Sequence, residues 1–255
     1  MSKVIDARVL IVAALAVLVP IFSIAAPKNN TGVQIGELEY RGNKYAVVSV
    51  DLTKARLKMF WKDAQGKPLN TFQKLEQHLT RNHQKLLAAM NAGIFDKSFA
   101  PLGLHIERGQ TLHKLNNRTK AFGNFYVQPN GIFLLESQTK AKILTTNEFT
   151  GTQPKALEAT QSGPMLVVNN KINSKFQPDS SNQLIRNGVG VESSSRVHLV
   201  ISESWVSFYE FAAFFKDMLH CPNALYLDGN ISGLYVPNSS FQSSQEYAGM
   251  IGVVQ

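Results

Sequence analysis

The chain has 255 residues and 44% hydrophobic content, ordinary for a globular protein and sufficient for one large domain or two small ones with a sizeable core. Its 26 Lys and Arg against 18 Asp and Glu give a formal net charge of +8, which favours anionic partners such as phosphate esters, cell-wall polymers and lipid head groups. Nucleic acid is disfavoured, because the basic residues form no Lys/Arg block and no RNA-binding aromatic signature accompanies them. A single cysteine, Cys221, excludes an intramolecular disulfide, so stability must come from the core; a bacterial periplasm suits such a chain better than a disulfide-dense secretory route.

Lys3 and Arg8 precede an apolar stretch from Val9 to Ile24, and Ser23-Ile24-Ala25 offers small residues where a signal peptidase reads. Residues 1–25 are therefore expected to be a secretory signal, with an uncleaved anchor as the alternative, although Pro20 interrupts the apolar run. Cleavage would remove two positive charges and one negative, leaving +7. In either case the rest of the chain is expected outside the cytoplasm, periplasmic or secreted. Residues 26–32 read as a linker and 33–255 as one domain.

That domain opens with three strand-like runs, VQIGELEY, KYAVVSVDL and RLKMFW; Gly42-Asn43 makes a tight turn between the first two, and the whole predicts an antiparallel meander. A helix follows, with Asn70 as N-cap, Gln73 in the capping-box position and Phe72, Leu75, Leu79 and Leu86 on one face. LLAAMNAGIF then changes to a buried strand. Between Leu102 and Leu144 short strands alternate with turns, and QPNGIF predicts a hairpin at Asn130-Gly131. A second helix is predicted from the Ser207/Glu210 capping box, with Phe208, Phe211, Ala212, Phe215 and Leu219 as its apolar stripe and Pro222 beyond its end. NALYLDGN follows as a short strand ending in Asp228-Gly229. The pattern predicts a single α+β domain with a mixed, largely antiparallel sheet and two principal helices.

Sharp chemical motifs are absent from the sequence. The six histidines form no HExxH pair, a lone cysteine cannot make a thiolate zinc site, and His83 reads as a packed or edge residue. GVGVES at Gly188 lacks a third glycine, no GxxxxGK occurs, and without a GxSxG elbow Ser162 and Ser232 are not obvious nucleophiles. No metal site is expected, and no cofactor is assigned.

What remains is a set of polar residues beside glycines at the edges of buried runs: Asn91, Asn124, the Thr160-Gln161-Ser162 cluster before Gly163, Arg186, and Asp228 before Gly229. Each alone is ordinary turn chemistry; five in one domain point to a ligand. A carboxylate ending the ALYL run sits where partial desolvation raises its basicity. A guanidinium such as Arg186 can hold a phosphate with two parallel hydrogen bonds, or else make a surface ion pair.

The stretches NAGIFD, PLGLHIERG, GNFYVQPNGIF, ATQSGPMLV, RNGVGV and NALYLDGNISGLY, in this order from Asn91 to Tyr235, resemble the phosphodiester glycosidase family. The resemblance implies an exported hydrolase that releases a sugar, N-acetylglucosamine-like, from a phosphodiester at its anomeric carbon. It implies Asn91, Asn124, Thr160, Ser162, Arg186, Asp228 and Ser232 as pocket residues. Asp228, Arg186 and Asn91 are then expected to be catalytic, with Asn124, Thr160, Gln161, Ser162, Gly163, Gly229 and Ser232 binding substrate. On this reading Thr160, Gln161 and Ser162 form a shelf for sugar hydroxyls or phosphate oxygens, shaped by Gly163-Pro164. The Gly-Asn-Ile-Ser run after Asp228 is less glycine-rich than the family pattern, a departure expected to narrow the pocket or alter the sugar preference.

A phosphate monoester leaves without protonation, so a cation and hydrogen-bond donors can replace the carboxylic acid that ordinary glycosidases need. One prominent carboxylate, Asp228, is compatible with that chemistry; Asp96 and Glu192 are weaker candidates for a second. The alternative is a non-catalytic module that binds a glycan or phosphodiester polymer of the cell envelope. Cleavage at phosphorus is a third possibility. Membrane contact is expected only through an uncleaved N-terminal segment.

Overall fold

The computed structural model describes residues 31–255. The predicted signal segment lies outside the described residues, as does most of the linker. No helix among the described residues is long and apolar enough to cross a membrane.

Three sheets build the α+β fold. The largest has the order β1 (Val33–Tyr40), β2 (Asn43–Asp51), β13 (Arg196–Ser202), β12 (Asn187–Ser193), β14 (Asn223–Asp228), β10 (Met165–Val168) and β11 (Lys171–Ile172). A four-stranded sheet runs β15 (Leu234–Tyr235), β4 (Leu86–Asn91), β16 (Met250–Val254) and β3 (Arg56–Phe60). The third runs β6 (Gln110–His113), β5 (His105–Glu107), β9 (Glu158–Ser162), β7 (Gly131–Ser137) and β8 (Lys140–Thr145). The expected largely antiparallel α+β arrangement is found, with every described pairing antiparallel and the strands shared among three sheets. One core cluster takes side chains from all three: Val48 and Leu199, Met90 and Ile251, Phe133 and Leu135. Burying such side chains stabilises a fold by about 1.5–3 kcal/mol each, and here it joins the sheets back to back.

Several local expectations are corrected. The first hairpin turns at Arg41-Gly42, since Tyr40 already pairs with Asn43. Both turn residues have positive φ, 52° and 76°, as a two-residue hairpin loop with the right twist requires. β3 does not continue a meander; it crosses to the second sheet and pairs with β16. Helix α1 (Phe72–Arg81) is capped by Thr71, whose hydroxyl accepts from the Lys74 amide, while Asn70 accepts from the Lys74 ammonium. Leu86 is outside that helix and starts β4. Asn130-Gly131 is not a hairpin turn: Asn130 is buried, donates to the Phe125 carbonyl and accepts from the Thr146 hydroxyl, and Gly131 begins β7.

A helix beyond the two expected, α2 (Thr146–Thr152), carries a complete Thr145/Glu148 capping box. The predicted capping box at Ser207/Glu210 is present, starting α3 (Phe208–Ala213), which continues through a wider turn over Phe214–Met218. Phe211, Ala212 and Phe215 pack against Val200, Leu166 and Tyr226 in a second core cluster, covering the outer face of the large sheet near β14.

Glu158 ties two of the sheets together. Its carboxylate accepts from the Met59 amide of β3 at 2.9 Å and the Arg108 amide at 3.3 Å, and only 3% of the residue is exposed. Burial pushes its pKa up to about 7, with neighbouring Glu107 adding to the rise and the two amides opposing it. A carboxyl whose folded pKa lies above its unfolded value favours the folded state fully below the unfolded pKa. That contribution is lost as pH rises through the folded pKa. We therefore expect chemical denaturation to show a loss of order 1–3 kcal/mol from this group between pH 5 and pH 8. Glu158→Gln should be less stable than wild type at pH 5 but show a visibly flatter pH dependence; an unchanged slope would contradict the assignment.

Candidate active site

The ends of strands from all three sheets meet around one buried amide. Asn187, first residue of β12, donates from Nδ2 to Asn91 Oδ1 at 2.6 Å and accepts on Oδ1 from the Asp228 backbone amide at 2.8 Å. Asn91 ends β4, Asp228 ends β14, and Ser162, last residue of β9, donates to the Leu227 carbonyl at 3.1 Å. Asn91 Oδ1 also accepts from the Gly233 amide at 2.9 Å, so this oxygen holds both β12 and the loop after Asp228. With its oxygen doubly used, Asn91 Nδ2 is a buried donor with no protein partner.

The loop after Asp228 is wound around the carboxylate. Oδ1 accepts from the amides of Gly229, Asn230 and Ile231 at 2.6, 2.9 and 3.4 Å, and the residue is only 8% exposed. Oδ2 meets no protein donor among the described residues. Burial raises the Asp228 pKa, and the three amides partly offset the rise by stabilising the carboxylate. Ser232 fastens the loop by donating to the Asp228 and Ile185 carbonyls. Glycine is required at 229, because a Cβ there would collide with the Tyr226 hydroxyl.

Arg186, expected as an open fork for phosphate, is instead fully buried. Nε donates to the Val206 carbonyl at 2.8 Å, Nη2 donates to the backbone and side-chain oxygens of Asn182, and the guanidinium stacks on Phe208 at 3.8 Å. Nη1 has no partner, and no carboxylate pairs with this charge among the described residues. Burial lowers its pKa, and the nearby Tyr226 phenol opposes that shift. Tyr226, two residues before Asp228 on the same face of β14, faces both Arg186 and the Asn124 amide. Burial pushes its phenol far up, so the hydroxyl is a neutral donor.

The remaining expected site residues divide between the two faces of β9. Thr160 donates to the Ala92 carbonyl at 2.8 Å, and Ser162 is used as above. Gln161 points the other way: its oxygen accepts from the Leu104 and Asn116 amides and its nitrogen donates to the Asn116 carbonyl and the Thr146 hydroxyl. All three polar side chains are thus turned on the protein itself, which corrects the expected shelf for substrate hydroxyls. Gly163 is wedged against Asn130 and the Phe125 carbonyl, where no side chain would fit. Asp96 caps its own turn at Ser98 and Ala100, and Glu192 pairs with His198 at the far end of β12; neither joins the cluster. Among the described residues no three His, Cys, Asp or Glu side chains come together as a metal site.

Volume and chemistry point to different places. A cavity of about 230 Å³ opens beside Ser232 and Gly233, against Ser202 and the Ser240–Ser243 segment. A larger one, about 390 Å³, lies on the Gln161 side of β9 against α2. The Asp228 cluster is chosen on its chemistry: of the four buried side-chain polar atoms lacking a partner among the described residues, Asn91 Nδ2 and Arg186 Nη1 both belong here. Buried donors left unpaired cost about 1–3 kcal/mol each; here one is tied to Asp228 through the Asn187 bridge and the other lies by the Tyr226 phenol two residues before it, and a ligand is the natural partner.

Comparison with known proteins bears on the family and the fold. The sequence profile described as phosphodiester glycosidase matches residues 84–254, which includes Asn91, Arg186, Asn187 and Asp228. The chain belongs to the phosphodiester glycosidase family. An uncharacterized protein of Escherichia coli (strain K12), YigE, is 38% identical over 181 residues, covering 71% of this chain and 70% of its own. Among solved structures, the catalytic domain of zebrafish N-acetylglucosamine-1-phosphodiester alpha-N-acetylglucosaminidase, auto-inhibited by its pro-peptide, aligns over 89% of this chain and 85% of its own with a TM-score of 0.60 at 13% identity. A protein from Burkholderia pseudomallei K96243 titled as exported aligns over 83% and 74% with a TM-score of 0.54 at 11% identity. At these identities the solved structures speak for the fold alone.

Two residues of this family member's site escaped sequence reasoning. Asn187 follows Arg186 directly, so its signal was present but overshadowed by the charged neighbour. Tyr226 shares the i, i+2 spacing with Asp228 that puts both on one strand face. Removing the bridge tests its structural role: Asn187→Ala should cost about 1–3 kcal/mol in urea denaturation, because the Asp228 amide loses its acceptor inside the protein. A loss below about 0.5 kcal/mol, the range of ordinary surface changes, would contradict it.

Proposed function

We propose that the protein is an exported glycosidase that hydrolyses a sugar 1-phosphodiester, N-acetylglucosamine-1-phosphodiester-like, at the anomeric carbon. The observation that carries this reading is a desolvated carboxylate, Asp228, in a cluster with two buried donor atoms that lack partners, Asn91 Nδ2 and Nη1 of the Arg186 cation, which pairs with no carboxylate among the described residues. In the reaction, Asp228 takes a proton from water through Oδ2 while its Oδ1 stays fixed by the following loop. The water oxygen bonds to the anomeric carbon, and the bond from that carbon to the phosphate oxygen breaks. Its electron pair leaves with the phosphate monoester, which needs no proton from an acid.

Asn91 Nδ2 is suited to donate to an oxygen of the substrate. Arg186 acts from behind, as a buried positive charge facing the Tyr226 phenol, and in that desolvated setting its field favours the build-up of negative charge on the departing phosphate more than the same charge would in water. Asn124 approaches the same phenol from the other side, and Gly229 leaves it room. Periplasmic or secreted placement fits this substrate class, supported by the apolar N-terminal stretch and the likeness to a protein titled as exported.

Turnover of a panel of glycosyl phosphodiesters, UDP-N-acetylglucosamine among them, tests the reading. Asp228→Asn should lower kcat/KM by about 10²–10⁴-fold, the usual worth of a positioned base, while its thermal melt stays close to wild type. Because burial raises the Asp228 pKa, the acidic limb of the wild-type profile should fall at a pH above the ordinary carboxylate range, about 3.9, with activity rising as the group deprotonates. A loss of less than about tenfold in Asp228→Asn would remove Asp228 from the mechanism. No turnover of any member of the panel would favour a non-catalytic glycan or phosphodiester-polymer binding module.

A further inference from the structure

The 390 Å³ cavity on the Gln161 face of β9 is separate from the Asp228 cluster and has a composition of its own. Apart from Gly151, the residues around it carry amides, hydroxyls or a guanidinium on largely apolar stems, from the Asn116–Thr119 segment, Gln128, Asn130 and helix α2, and no carboxylate lines it. Its volume falls in the usual range of small-molecule sites, roughly 300–1,000 Å³.

The floor is fixed and the rim is available. On the floor, Asn116, Asn130 and Thr146 are joined through Gln161 and through each other by hydrogen bonds of 2.8–3.2 Å. Asn116 also donates to the Leu102 carbonyl, and a Cβ at Gly103 would collide with Gln161 Oε1, so this strut tolerates little change. On the rim, Asn117, Arg118 and Asn147 are exposed, and their side chains make no hydrogen bond or ion pair among the described residues. Phe122, in the same loop, is fully exposed, with Lys120 two residues before it. Planar amides match vicinal hydroxyls, a guanidinium matches a phosphate or carboxylate, and an exposed aromatic ring offers a face to the C–H side of a sugar.

We propose that this cavity is a second binding site, for a saccharide bearing an anionic substituent, and that it operates independently of the Asp228 chemistry. Asn117 and Asn147 engage ring hydroxyls, and Arg118 engages the anionic group. One segment links the two places: Asn116–Thr119 lines the cavity, and Asn124, a few residues on, faces Tyr226 beside Asp228.

The test uses the full chain and ligand-observed NMR titration with N-acetylglucosamine 6-phosphate, glucuronic acid, neutral N-acetylglucosamine and inorganic phosphate. Neither anionic sugar carries a leaving group on its anomeric carbon, so neither is a substrate for the proposed cleavage. We expect the anionic sugars to bind at least about fivefold tighter than the neutral one, equivalent to about 1 kcal/mol. Arg118→Ala should abolish that preference, Asn147→Ala should weaken all three sugars, and Asp228→Asn should leave binding unchanged. The better of the two anionic probes identifies phosphate or carboxylate as the preferred substituent. Binding lost in Asp228→Asn but kept in Arg118→Ala and Asn147→Ala would place the sugars at the Asp228 cluster and overturn the proposal. So would inorganic phosphate binding as tightly as the sugars, or no binding by any sugar. None of these outcomes depends on turnover, so a failure here is distinct from a failure of the glycosidase reading.

Discussion

The architecture converges on the Asn187 side chain, whose two ends fasten Asn91 of the four-stranded sheet and Asp228 of the neighbouring strand in Asn187's own seven-stranded sheet, at 2.6 and 2.8 Å. Three separate antiparallel sheets share one core, but sheets packed by apolar side chains can slide by small amounts at little cost, because the attraction is non-directional. A directional amide bridge at the strand ends removes that freedom where the chemistry requires it. Its orientation is forced: Asn91 Oδ1 must face two donors, so Nδ2 is turned away from the protein and left for a ligand.

Desolvation then acts on every ionisable group nearby in the direction that disfavours its charge. It raises Asp228 and Tyr226 and lowers Arg186. The carboxylate retains three backbone donors and the guanidinium retains carbonyl acceptors and an aromatic face, so both are supported without being paired to each other. An ion pair between them would satisfy both charges and leave neither for a substrate. Arg186 meets Tyr226 and not Asp228, so the carboxylate and the cation both stay unpaired, with a neutral phenol that lies near each.

Much of this was available from local patterns. The Ser207/Glu210 capping box and the Phe211 stripe depend only on residues three and four apart, and both appear as expected. Asp228 beside Gly229 marked the end of a buried strand, and the structure adds why glycine is needed, the Tyr226 hydroxyl. Non-local facts were out of reach. Nothing in RLKMFW says that β3 pairs with β16, some two hundred residues away in sequence order, in preference to β2 beside it. Asn130-Gly131 has hairpin chemistry, yet a hydrogen bond from Thr146 captures Asn130 for another purpose. Gln161 lies in the cluster that drew attention, but strand alternation turns it away from Ser162 and makes it the strut of a different cavity. Arg186 stands out in the sequence as a candidate cation, while its complete burial behind Phe208 and Val206 follows only from the tertiary fold.

The central claim is that bond breaking occurs at carbon, between a sugar and its phosphate, with water as nucleophile. It is tested most directly by turning over UDP-N-acetylglucosamine in water labelled with oxygen-18 and locating the label by mass spectrometry. The claim predicts label on the anomeric hydroxyl of the released sugar and none on the nucleotide. Label on the phosphate would contradict it, assigning the cleavage to phosphorus and the Asp228 cluster to a phosphodiesterase.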